Sequence, residues 1–146
     1  MKSTKLTKQS ILVDSSAVIA GFSESDALRF QATPVRQKLL SGRFKLFIPF
    51  EVIIETLTRI KQKGSAAEAI QLYEILFKFQ ANKKITILWP SSKTFGLAIE
   101  IFRKNPTPKT FSFTDANILA QMKIKNIATL FTFDRDFKNL GVKTIP

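Results

Sequence analysis

Four acidic residues, Asp14, Glu55, Asp115 and Asp134, stand out as the groups through which this chain can do chemistry. Two residue types that commonly carry catalysis are missing: among 146 residues there is no His and no Cys. That removes imidazole bases, Ser-His-Asp hydrolysis, thiol nucleophiles, disulfides and zinc knuckles. Catalysis is left to carboxylates, hydroxyls, Lys, or a metal held by oxygen. Each acid also has an ordinary role open to it. Asp14 can cap a following helix, Asp115 can sit in a helix first turn against the dipole, and Asp134 with Asp136 can make a turn around Arg135. Their joint placement carries more weight than any one of them.

That placement follows from the elements around them. Ile11 to Asp14 reads as a short buried strand, a compact apolar run ending at a carboxylate. Helical stretches are expected over Ser15–Gly21, over Thr33–Leu40 closed by Gly42, over Pro49–Lys63 stopped by Gly64, over Ser65–Ala81, over Ser92–Arg103 and over Thr114–Lys125. Between them fall strands at Lys45–Ile48, Lys84–Leu88, Ala128–Phe133 and Val142–Ile145. The prolines of Lys104–Thr110 forbid helix there. Strands alternating with helices require crossover connections, which predicts an α/β fold: a three-layer α/β/α sandwich around a mostly parallel sheet. The domain reading is a basic extension over 1–10 and a single domain over 11–146.

In an open parallel sheet, ligands sit beyond the carboxyl ends of the strands, where strand order switches. Asp14 and Asp134 end their strands, and Asp115 opens the helix that must run back to feed the Ala128–Phe133 strand. Glu55 lies in the second turn of the helix leaving the second strand, about 8 Å from its start at 1.5 Å per residue. Phe50, Ile53, Ile54, Leu57 and Ile60 form the expected apolar stripe of that helix. Glu55 falls nearly opposite this stripe, and spacing alone does not choose between Glu51 and Glu55. Two carboxylates 4 Å apart repel by roughly 4 kcal/mol at an effective dielectric of 20. A hard dication removes that cost, and oxygen ligands suit Mg²⁺ or Mn²⁺. Such an ion polarises phosphoryl oxygens and activates water.

Lys plus Arg number 23 against 11 Asp plus Glu, a formal net charge of +12. This balance favours a polyanionic partner. Arg103, Lys104 and Lys109 flank the proline loop before Asp115, and Arg135 and Lys138 flank Asp134, so these five are the candidate phosphate contacts. Phe111 and Phe113 are read mainly as packing residues. No run of eighteen apolar residues and no signal-peptide core is present, which predicts a cytoplasmic protein without a membrane span. A haloacid-dehalogenase phosphatase needs an Asp where Ser16 stands, and a receiver domain needs one after its third strand, where Leu88-Trp89-Pro90 offers none. A peripheral membrane role fits poorly, because the charge is spread along the chain.

The stretches Ile11–Ile19, Ile48–Leu57, Phe113–Ala120 and Leu130–Phe137 together resemble a PIN-domain ribonuclease, in order and spacing. The resemblance implies Mg²⁺- or Mn²⁺-dependent cleavage of RNA through an acidic quartet of Asp14, Glu55, Asp115 and Asp134. It selects Glu55 over Glu51. It also implies metal binding by Asp14, Asp115 and Asp134, with Ser16 or Ser15, Thr132 and Asp136 as supporting groups. A domain standing alone is similar to the VapC-like toxins of type II toxin–antitoxin pairs. That similarity implies a homodimer and a small antitoxin partner. A PIN nuclease with a housekeeping task in RNA processing or decay, and a non-catalytic RNA-binding PIN fold, are the competing readings.

Overall fold

The computed structural model describes residues 7–22, 33, 34, 37 and 39–146. Strand β1 (Gln9–Val13) leads into helix α1 (Ser15–Phe22). Then follow β2 (Phe44–Pro49), α2 (Phe50–Lys63), α3 (Ala66–Ala81), β3 (Ile85–Leu88), α4 (Ser92–Lys104), α5 (Phe113–Lys125), β4 (Thr129–Phe131), α6 (Arg135–Asn139) and β5 (Lys143–Ile145). The helix expected over 33–40 lies partly outside the described residues. Of it, Thr33, Pro34, Gln37 and Leu39 are helical, and Gly42 turns the chain at a positive φ of 93°.

The five strands form one sheet in the order β3-β2-β1-β4-β5, and every pairing is parallel. The sheet is therefore wholly, not mostly, parallel among the described residues. The chain winds outward from β1 through β2 to β3, then returns across β1 to lay down β4 and β5. With right-handed crossovers the two runs place their helices on opposite faces, which gives the three-layer sandwich. The reversal leaves a crevice between the carboxyl ends of β1 and β4.

One large core joins the sheet to its helices, through Ile11, Leu12 and Leu130 of the strands and Val18, Val52, Leu72, Leu76 and Ile118 of the helices. A smaller cluster of Ala98, Phe111, Ala116 and Ala120 lies where α4 packs along α5. Three alanines there let the two helix backbones approach closely, which fixes the start of α5 and hence Asp115. Ser65, Ser91 and Ser112 cap α3, α4 and α5, each with a reciprocal capping box.

Two strand boundaries differ from the expected ones by two residues, and the others that shift do so by one. β1 begins at Gln9, inside the segment read as an extension. β4 ends at Phe131 rather than Phe133: the Thr132 N–H still donates to the Ile145 carbonyl at 2.9 Å, and the two N–H groups after it turn to side chains. The N–H of Phe133 donates to Ser16 Oγ at 3.0 Å, and that of Asp134 to Thr132 Oγ1 at 3.0 Å. The chain then enters α6, a short helix where a plain turn around Arg135 is also open to the sequence, with Asp134 as its cap.

Candidate active site

Asp14 leaves the end of β1 with only 3% of its surface exposed. Its Oδ1 accepts the Ser15 N–H at 2.6 Å, and its Oδ2 accepts the Thr132 hydroxyl at 2.7 Å and the Ser16 hydroxyl at 3.3 Å. Burial raises its pKa, the bonds from Thr132 and Ser15 lower it, and the charges of Glu55 and Asp134 raise it again. The net direction is up.

Asp115 is the third residue of α5 and is buried. Its Oδ2 accepts the Ser112 N–H at 2.8 Å while its own N–H donates to Ser112 Oγ at 3.0 Å. The first-turn role open to this acid is thus real, yet it occupies one oxygen only; Oδ1 accepts no hydrogen bond from the described residues. Burial pushes its pKa up to about 6, with further upward pressure from Asp14 and Asp134 against the two Ser112 bonds. Asp134 divides its carboxylate in the same way. Oδ1 caps α6 through the Asp136 N–H at 2.9 Å, and Oδ2 accepts nothing from the described residues.

Glu55 reaches the same place because α2 sits differently from its expected wheel. Its buried face is Val52, Ile53, Thr56 and Ile60, while Ile54 is half exposed. The helix is turned toward Val52 and Thr56, which brings Glu55 from the far side to the flank of the buried face. A cavity of about 370 Å³ is lined by Asp14, Ser15, Ser16, Glu55, Asp115 and Asp134, with Arg59, Thr110, Ser112 and Phe133 completing its wall. All four expected acids meet there, and Glu51 does not.

The supporting residues separate. Ser16 and Thr132 join each other at 3.3 Å and both hold Asp14. Asp136 is outside the lining; its Oδ2 accepts the Thr110 hydroxyl at 2.9 Å and ties the proline loop to α6. None of Arg103, Lys104, Lys109, Arg135 and Lys138 lines the cavity. All five are exposed. Among the described residues the cation that does line it is Arg59, whose Nη1 donates to Ser15 Oγ at 3.4 Å. The sequence held a signal for it, the i, i+4 spacing from Glu55, which puts both on one helix face. Phe111 is buried, as a packing residue should be, and Phe113 is half buried.

Among the described residues no group of three acids is arranged to hold a metal ion by itself. The carboxylates line the cavity without closing a cage. The donor set is nonetheless all oxygen, buried enough to raise two pKa values with neighbouring carboxylates adding to the rise, and carries two carboxylate oxygens without partners among the described residues. Those properties fit a hard dication that keeps several of its waters and takes few protein ligands.

The family model of the PIN domain matches residues 11–143. The chain belongs to the PIN-domain family. Solved PIN structures share its fold. VapC20 of Mycobacterium tuberculosis, a toxin that cleaves the sarcin-ricin loop, is 22% identical, with 90% of this chain and 95% of that one covered at a TM-score of 0.73. VapBC2 of Rickettsia felis, bound to a fragment of promoter DNA, is 13% identical, covering 94% and 98% at 0.69. VapBC-1 of nontypeable Haemophilus influenzae is 17% identical, covering 94% and 97% at 0.61. A search of curated proteins by sequence finds no match. Among the described residues of this PIN domain, no helix is long and apolar enough to cross a membrane.

Proposed function

We propose that this PIN domain is a Mg²⁺- or Mn²⁺-dependent ribonuclease and the toxin of a VapC-like pair, acting in the cytoplasm. The observation that carries the reading is the single cavity at the β1/β4 crevice, with Asp14, Glu55, Asp115 and Asp134 in its wall. Asp14, Asp115 and Asp134 are the residues that would hold the ion, which would offset their crowded charge and polarise the phosphoryl oxygens. Ser16, Ser15 and Thr132 fix the Asp14 carboxylate, so its oxygens stay aimed without rotamer searching. Glu55 accepts a proton from the attacking water. The water oxygen bonds to phosphorus, the bond from phosphorus to O3′ breaks, and O3′ takes up a proton. The products are a 5′-phosphate and a 3′-hydroxyl. Arg59, in the same wall, is placed to hold a phosphate oxygen, and the +12 charge of the chain draws the RNA in.

Two apolar stripes support the toxin reading over a housekeeping nuclease. Ile70, Tyr73 and Phe77 are exposed on α3, and Ile99 and Phe102 on α4. A homodimer that also receives an antitoxin needs two such faces. The neighbours solved as VapBC complexes support a VapB-type partner here. Incubating the purified protein with labelled total RNA, in Mn²⁺ or in EDTA, tests the activity. Discrete cleavage in Mn²⁺ alone is expected, and intact RNA in both would refute it.

A further inference from the structure

A second cavity, of about 590 Å³, adjoins the acidic one and shares Glu55 and Arg59 with it. Its walls come from three helices and are largely apolar: Phe50 and Ile54 of α2, Phe95 of α4, Phe113 of α5. Phe95 and Phe113 meet edge to face at 5.5 Å, and Phe50 carries Trp89 on its outer side at 5.1 Å. Into this apolar setting α2 brings Glu51, whose Oε2 is buried without a hydrogen-bond partner among the described residues. An orphaned buried carboxylate oxygen costs stability, and native proteins seldom keep one without a use. Asn117 lies in the same wall. Its Nδ2 is committed to the Phe113 carbonyl at 3.2 Å, which leaves its Oδ1 as an acceptor.

We infer that this cavity receives one nucleobase of the RNA, next to the phosphate under attack, and that Glu51 selects guanine there. A flat base fits between aromatic walls, as single-stranded RNA is commonly read. The acceptors at the site call for a base edge rich in donors. Guanine presents N1–H and the N2 amino group side by side, matching the two oxygens of one carboxylate. Uracil offers a single N–H flanked by carbonyls, which would face Glu51 with like partial charge. Arg59 stands in both walls, so one guanidinium can hold the backbone between the base and the acidic cavity. The inference rests on the ribonuclease reading for its substrate, but base selection is separable from cleavage.

The test uses short uridine strands carrying one guanine, and the same strands with inosine, which lacks the N2 amino group. Binding is followed in EDTA through the fluorescence of Trp89, the only tryptophan of the chain. The guanine strand is expected to bind about tenfold more tightly, with the ratio falling to near one in Glu51→Ala. A ratio of affinities does not depend on the fraction of folded protein, so loss of stability in the variant cannot mimic the result. Equal affinities in the wild type, or a ratio that survives Glu51→Ala, would overturn the inference. Cleavage of the same strands in Mn²⁺ separates the two readings. Selective binding without cleavage would overturn the nuclease assignment and leave the base pocket supported.

Discussion

The Thr132 hydroxyl donates to Asp14 Oδ2 at 2.7 Å across 118 positions of sequence. The same hydroxyl oxygen accepts the Asp134 N–H at 3.0 Å and lies 3.3 Å from Ser16 Oγ. One small side chain therefore sets the distance between the acid ending β1 and the acid capping α6. Removing the hydroxyl leaves a buried carboxylate oxygen and a backbone N–H short of partners. Thr132→Val is expected to lose about 1–3 kcal/mol of stability and to lower kcat by about 10- to 100-fold. Thr132→Ser should recover most of both. Denaturant melts and RNA cleavage rates measure the two effects.

Burial, and after it the charge of Asp14, makes Asp115 costly to ionise. Asp14→Asn and Asp115→Asn keep the shape and remove one negative charge, so each should fold without loss of melting temperature in EDTA. Mn²⁺ should raise the melting temperature of the wild type and fail to do so in Asp115→Asn. RNA cleavage should fall at least 100-fold in both variants. Equal shifts by Mn²⁺ in wild type and Asp115→Asn would place the ion elsewhere.

The pKa of Asp115 supplies a pH dependence with a definite sign. Its carboxyl is raised from 3.8 to about 6 in the folded chain, and that of Asp14 is raised as well. A raised acid binds its proton more tightly when folded, so its contribution to stability is complete below pH 3.8 and is lost as pH rises through about 6. Without metal, the melting temperature should drop between pH 4 and 7, and the drop should be smaller in Asp115→Asn. Saturating Mn²⁺ should oppose the trend, since the ion binds the ionised carboxylates. Cleavage should correspondingly weaken below about pH 6.

Arg59 is exposed and spans two cavity walls, so its removal should spare the fold and weaken RNA binding. Arg59→Ala is expected to raise KM about tenfold, and to lower the slope of log affinity against log salt by about 0.7 for a single-stranded RNA. Neutralising Lys104 and Lys109 together should reduce the slope while leaving kcat unchanged, because both lie off the cavity wall. Binding titrations at several salt concentrations measure both.

Much of this architecture is legible in local pattern. Without His or Cys, any catalysis is left to carboxylates, hydroxyls, Lys or a metal held by oxygen. Apolar strand segments alternating with capped helices left a parallel sheet as the simplest way to bury both. In such a sheet, Asp14 and the start of α5 must lie at the carboxyl edge, since chain direction alone puts them there. Tertiary packing decided the finer points. Helix α2 has apolar residues on more than one side, so only its neighbours select Val52 and Thr56 as the buried face and send Ile54 to the surface. That rotation delivers Glu55 and Arg59 to the acidic cavity and Glu51 to the adjoining one. Beyond β4 the Thr132 N–H still pairs with the Ile145 carbonyl, but the Phe133 N–H turns to Ser16 Oγ, a partner more than 100 residues away in sequence. Periodicity encodes which residues share a face, but the partner against which that face packs is a property of the assembled fold.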